Sequence, residues 1–131
     1  AEALKLFNEY AKGSIEPYAT QLYSGKTLAL MRTKQQLLAE AEIKKAIADR
    51  PFDAAVRALA AEVYFEGGHN VVAINESEQC TRIDYKATHC YALRGKAYSK
   101  INQQPKAHSA FKKAVELDAY RQTIDLHIHS F

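Results

Sequence analysis

Two cysteines in 131 residues are too few for a disulfide-dense scaffold. Three prolines and five glycines exclude a collagenous or low-complexity chain. No apolar run approaches the roughly 18 residues that a membrane helix requires, so the sequence holds no helical membrane span. Charge of one sign is also scarce. The 18 Lys and Arg outnumber the 15 Asp and Glu by three and are spread along the chain, so electrostatics alone do not point to nucleic acid. No glycine-rich phosphate loop occurs, because Gly67-Gly68 stands alone between two helical patterns. What remains is the composition of an ordinary soluble domain, 47% hydrophobic and 25% charged, of a length that suits one domain.

Apolar residues recur with helical spacing along nearly the whole chain. Residues 2–11 place Leu4, Leu6, Phe7, Tyr10 and Ala11 on one side, and Lys12-Gly13-Ser14 reads as a stop, with Pro17 suited to a new first turn. Further helices are expected over 18–32, 34–48, 53–66, 70–82, 87–101 and 104–117. Breaks fall at Thr33, Asp49-Arg50-Pro51, Gly67-Gly68 and Asn102-Gln103. The one strand-like stretch, Ile124 to Ile128, alternates but has no partner strand, so it reads as a short capping helix or a frayed tail.

Helix pairs of about 34 residues call for a search for repeats. Residues 88–121 hold Tyr91, Gly95, Tyr98, Ala107, Phe111 and Ala114 at positions 4, 8, 11, 20, 24 and 27 of such a unit. A shift of 34 gives Ala61, Tyr64, Gly68, Ala73 and Cys80 at 8, 11, 15, 20 and 27 of unit 54–87, with Arg57 at 4, Ser77 at 24 and Tyr85 at 32 departing from the pattern. A second shift gives Tyr23, Thr27, Leu30, Ala39, Ile43, Ala46 and Pro51 in unit 20–53, with Lys34 at 15. Small residues at 8, 20 and 27 let two helices approach, and larger ones at 4, 11 and 24 fill the space beside them.

This pattern resembles the tetratricopeptide repeat over residues 20–121. The resemblance implies an all-α, right-handed superhelix of antiparallel helix pairs in a single domain over 1–131. Three repeats would follow an N-terminal helix or half repeat (1–17) and precede a C-terminal cap or tail (122–131). It also implies a non-catalytic scaffold or adaptor that holds a peptide or helix of another protein on its concave side. The inward positions of the family, carried over, include Leu28, Met31 and Arg32, then Glu62, Phe65 and Glu66, then His89, Lys96 and Lys100. Leu28, Met31 and Phe65 would form an apolar centre, and the charged residues would set direction. The clamp by which some family members grip chaperone tails needs Lys at position 5 and Asn at 9. Here those positions are Ser24, Ala58 and Ala92, and Leu28, Glu62 and Lys96, so that clamp is absent. By analogy of size, assembly of a secretion or envelope complex is the expected setting. Self-assembly into homo-oligomers through incomplete terminal repeats is the alternative.

Candidates for chemistry are few. His89-Cys90 are adjacent and do not face each other on a helix, and no orienting acid is evident. His127 and His129 lack a third ligand nearby in sequence. The expectation is therefore no enzyme, no metal and no cofactor. Cys80 ends one helix and Cys90 begins the next, antiparallel one, so the two sit at similar heights. A disulfide fits if their Cα atoms come within about 7 Å. Alternatively, Cys80 stands in for the small residue at position 27 with Cys90 as a small neighbour. The start at Ala1 reads as a processed or a trimmed terminus. With a disulfide it would favour a periplasmic over a cytoplasmic location.

Overall fold

The structure, a computed structural model, describes residues 3–4 and 19–129, with side-chain surroundings up to Tyr120. Six helices follow one another: α1 (Ala19–Arg32), α2 (Gln36–Asp49), α3 (Ala54–Glu66), α4 (Asn70–Ile83), α5 (Thr88–Lys100) and α6 (Gln104–His129). No strand occurs among the described residues. The helix expected over 2–11, residues 3–4 apart, and the stop at Lys12-Gly13-Ser14 lie outside them, as do the side chains of His127, His129 and Phe131.

The backbone repeats every 34 residues. Lys34, Gly68 and Asn102 each adopt a left-handed conformation, with φ of 56°, 80° and 59°. At each of these turns the next amide reaches back to the preceding helix: Gln35 to Leu30 O at 2.9 Å, His69 to Tyr64 O at 2.8 Å and Gln103 to Tyr98 O at 2.9 Å. This satisfies a carbonyl that the helix end would leave bare. The carbonyls of Gln35, His69 and Gln103 then accept from Ala39, Ala73 and Ala107, which starts the second helix of each pair. Only glycine adopts such a backbone without strain, so Lys34 and Asn102 hold it at a cost of the order of 1 kcal/mol, less for Asn.

The pairs α1/α2, α3/α4 and α5/α6 pack together, and each pair packs on the next. First helices also touch first helices, α1 with α3 and α3 with α5, whereas α2, α4 and α6 share no such contact among the described residues. The first helices therefore crowd one face and the second helices splay on the other, which curves the stack. Small residues make this possible. Ala39, Ala46, Ala60, Ala61, Ala73, Ala97 and Ala107 are buried at helix crossings. A Cβ added at Gly95 would stand 2.7–2.9 Å from the Phe111 ring, so α5 and α6 approach at that point only with glycine. Larger apolar residues form one cluster around Leu30, Ile43, Val56, Leu59, Val63 and Tyr64. Burial of Ile43, Val56 and Val63 with no residual exposure stabilises the domain by roughly 1.5–3 kcal/mol each.

The last helix departs from expectation. It does not end near residue 117 but continues to His129, so the segment over 122–129 extends α6 and is not a separate cap. In the middle pair, α4 ends at Ile83, where the Asp84 amide closes on Cys80 O and the Asp84 side chain accepts from the Lys86 amide. Cys80 and Cys90 are joined there as a disulfide across 10 residues, with Cα atoms 6.7 Å apart and both side chains fully buried. Neither glycine nor proline interrupts residues 106–131, and Ala119 occupies the place of the repeat's proline, so nothing local breaks α6.

Candidate partner-binding groove

The inward-facing residues come from the first helices, with the turns contributing at their ends. On a helix, positions 2, 5, 9, 12 and 13 of each unit fall on one side, because 100° per residue returns them to nearly the same direction. The structure gathers most of the expected residues into two solvent-open clefts. One, of about 540 Å³, lies between α1 and α3 and is lined by Leu28, Met31 and Arg32 with Glu62 and Glu66. The other, of about 350 Å³, lies between α3 and α5 and is lined by Phe65, Lys96 and Lys100 with Ser99 and Phe111. His89 joins neither. It stands at the opposite end of α5, in a third cleft walled by Ala55, Ala58, Ala92 and the buried Cys80.

Leu28, Met31 and Phe65 are half-buried and pack on the main core cluster while lining the clefts. They thus have a structural role as well as an exposed edge. The charges divide cleanly. The α1/α3 cleft sets Arg32 and Lys34 beside Glu62 and Glu66, whereas the α3/α5 cleft has only Lys96 and Lys100. The clefts thus offer apolar edges at Met31, Phe65 and Phe111, and the second adds two lysines.

Lys34, Gln36 and Phe111 also line these clefts but escape a reading based on first-helix positions, because they belong to a turn and to second helices. Gln36 has a further task. Its amide nitrogen donates to Val63 O at 2.8 Å and to Glu40 Oε2 at 2.9 Å, tying the start of α2 to the end of α3. A Cβ at Gly67 would collide with that amide, so the first glycine of the pair makes room for the tie and the second supplies the turn.

At the other end of α3, Asp53 caps the helix. It accepts from the Ala55 and Val56 amides at 2.9 and 3.3 Å, from Thr20 Oγ1 at 2.7 Å and from Arg50 Nε at 3.2 Å. Burial alone pushes its carboxyl up and is the largest single influence. The bonds from Thr20, Arg50, Val56 and Ala55 together outweigh it and hold the group below the usual carboxylate range. No group of three or more His, Cys, Asp or Glu positioned for a metal occurs among the described residues. No helix among them is long and apolar enough to cross a membrane.

The chain's fold matches solved structures closely although the sequences differ. A crystal structure of MamA superposes with a TM-score of 0.80 at 20% identity, over 92% of this chain and 69% of that one. MamA 41-end from Desulfovibrio magneticus RS-1 gives 0.78 at 20% identity, over 91% and 66%. The first TPR of Spaghetti (RPAP3), bound to the HSP90 peptide SRMEEVD, gives 0.74 at 17% identity, over 88% of this chain and 94% of that one. No family model matches the sequence, and no curated protein does.

Proposed function

From a fold that is that of the tetratricopeptide repeat, all-helical and built of stacked pairs, we propose that the chain is a non-catalytic interaction scaffold. Its concave groove takes an extended peptide or a single helix of a partner protein. The observation that carries this reading is the convergence of Leu28, Met31, Phe65 and their charged neighbours on two consecutive clefts along one face. The RPAP3 domain, which holds a peptide, supports the mode of binding. The ligand of this chain is a different one, because Ser24 and Leu28 stand where a chaperone-tail clamp needs Lys and Asn. Apolar side chains of the partner sit at Met31 and Phe65. Glu62 and Glu66 set one end of its direction and Lys96 and Lys100 the other, with more effect on orientation and association rate than on affinity. Assembly of a secretion or envelope complex is the setting we infer, and the buried disulfide favours a periplasmic location.

The test begins with affinity capture and mass spectrometry on wild type and a Phe65/Glu66 double variant. For the partner so found, Phe65→Ala weakens binding by roughly 1–3 kcal/mol while the helical signal persists. Unchanged affinity removes the groove reading. A second reading, self-association, draws support from Phe111, Val115 and Tyr120, which are exposed on α6. Sedimentation at two concentrations separates the two, since a strict monomer excludes the second.

A further inference from the structure

Position 23, on the second helix of each pair, carries an ion-paired acid twice and then loses it. Glu42 on α2 pairs with Lys26 on α1 at 2.9 Å, with 6% of its side chain exposed. Glu76 on α4 receives Arg57 of α3 through both carboxylate oxygens, at 3.2 and 3.0 Å. The equivalent residue on α6 is Ala110, 7% exposed. The cation on the facing helix remains. Arg94 on α5 occupies the register position of Lys26, and Lys106 and Lys113 on α6 flank the same spot.

Where the acid is missing lies a solvent-open cleft of about 590 Å³, lined by Arg94, Lys106 and Lys113 with Tyr91, Tyr98 and Ala110. It lies on the side of α5 away from the groove, because positions 4, 7 and 11 of the unit point about half a turn from positions 2, 9 and 13. Two of the cations are held in place. Arg94 donates to Ser77 Oγ, Ser77 O and Thr81 Oγ1 at 2.9, 2.7 and 2.6 Å and lies 5.0 Å over the Tyr91 ring. Lys106 lies 5.7 Å over the Tyr98 ring. Among the described residues none of these cations has a direct ion-pair partner, although Glu78, Glu116 and Lys112 also line the cleft and Glu78 acts on Arg94 from a distance. The three acceptors of Arg94 are neutral, so they orient its charge and only Glu78 partly answers it, in a half-buried place where burial, the largest influence, disfavours the charge.

We propose that this cleft is a second binding site, for a Glu- or Asp-rich segment of another protein, with one of its carboxylates seated over Ala110 where the earlier pairs carry Glu42 and Glu76. The molecule itself demonstrates this interaction twice in cis, and the third instance is completed in trans. The site is independent of the concave groove and does not rest on its occupant.

The test uses a fluorescently labelled short all-glutamate peptide and anisotropy titration of the intact chain. Ala110→Glu restores the internal acid and is expected to weaken the peptide by about tenfold or more, while it leaves or raises the thermal midpoint. Ala110→Gln, of equal size without the charge, weakens it by no more than about threefold. Lys96→Ala/Lys100→Ala, on the groove side, leaves it within about twofold. Equal losses for the Glu and Gln variants make the effect steric and overturn the proposal, as does an unchanged affinity in Ala110→Glu. A single-stranded oligonucleotide of matched charge that displaces the peptide equally well also overturns it, because the surface is then a general polyanion binder. If Ala110→Glu lowers helicity, Lys106→Ala/Lys113→Ala provides the decision. Retained peptide affinity in that variant refutes the site.

Discussion

The middle pair, α3/α4, and the last pair, α5/α6, differ in an instructive way. Residue by residue the last pair fits the repeat pattern better, with Tyr91, Gly95, Tyr98, Ala107, Phe111 and Ala114 all in place. Yet Phe111 is 38% exposed, and the buried residues of this pair are small: Cys90, Gly95, Ala97, Ala107, Ala110 and Ala114. The middle pair departs from the pattern at Arg57 and Ser77 and nevertheless buries Val56, Leu59, Val63, Tyr64 and Ile74. Two of its three departures, Arg57 and Ser77, are answered by partners. Arg57 meets Glu76 on α4, and Ser77 accepts from Arg94 on the following pair. A residue type states what a position can pack against. How much it buries depends on whether helices lie on both sides, as they do for the middle pair and, among the described residues, do not for the outer face of α6.

The largest expected effect tests that difference directly. Leu59→Ala in α3 should cost about 2–5 kcal/mol by urea denaturation, whereas Val115→Ala, 67% exposed on α6, should stay within about 0.5 kcal/mol. Similar losses at the two sites would contradict the unequal burial.

An intermediate effect concerns the caps. Asp53 caps α3, while the equivalent Ala87 offers α5 no side-chain bond. Asp53→Ala should destabilise by about 1 kcal/mol at neutral pH. The sign of the pH dependence follows from its lowered pKa. The ionised form is favoured in the folded state, so its contribution is complete above the unfolded value near about 3.9 and is lost as pH falls through the lower folded value. The gap between wild type and Asp53→Ala should therefore narrow as pH is lowered below about 4. Ala87→Ser should gain part of the same energy for the last pair. Thermal midpoints of the three proteins across pH give the answer, and a gap that widens on acidification would refute the assignment.

The smallest effect lies in the turns. The middle pair has glycine at its left-handed position and its neighbours do not. Lys34→Gly should stabilise by about 0.5–1 kcal/mol, and Asn102→Gly by less, because Asn tolerates this backbone better. Gly68→Ala should destabilise by a similar amount. Denaturation midpoints that rank these variants differently would place the strain elsewhere.

Much of the fold is legible in the residues because its causes are local. Helical spacing, Gly67-Gly68 and Asn102, and the recurrence of small residues at 34-residue intervals place the described helix ends within about two residues up to the start of α6. The far end of α6 is not legible, since a helix with no internal breaker continues until something outside it intervenes. The candidate groove is legible to the extent that one helix face presents Leu28, Met31 and Arg32, then Glu62, Phe65 and Glu66, then Lys96 and Lys100. The contributions of Lys34, Gln36 and Phe111 depend on the crossing of different helices, and so does the separation of His89 from the rest.

By itself the sequence determined the period and the helix order, because these follow from spacing along the chain, whereas the inward face of each first helix is what the resemblance implied. Only the tertiary structure decided which polar residues answer one another, as Arg57 with Glu76 and Arg94 with Ser77, and where an answer is missing, as at Ala110. The reason is physical. An ion pair or a cleft is a property of two or three helices at a distance of a few ångströms, and the residues of these two pairs stand 19 and 17 positions apart in the chain.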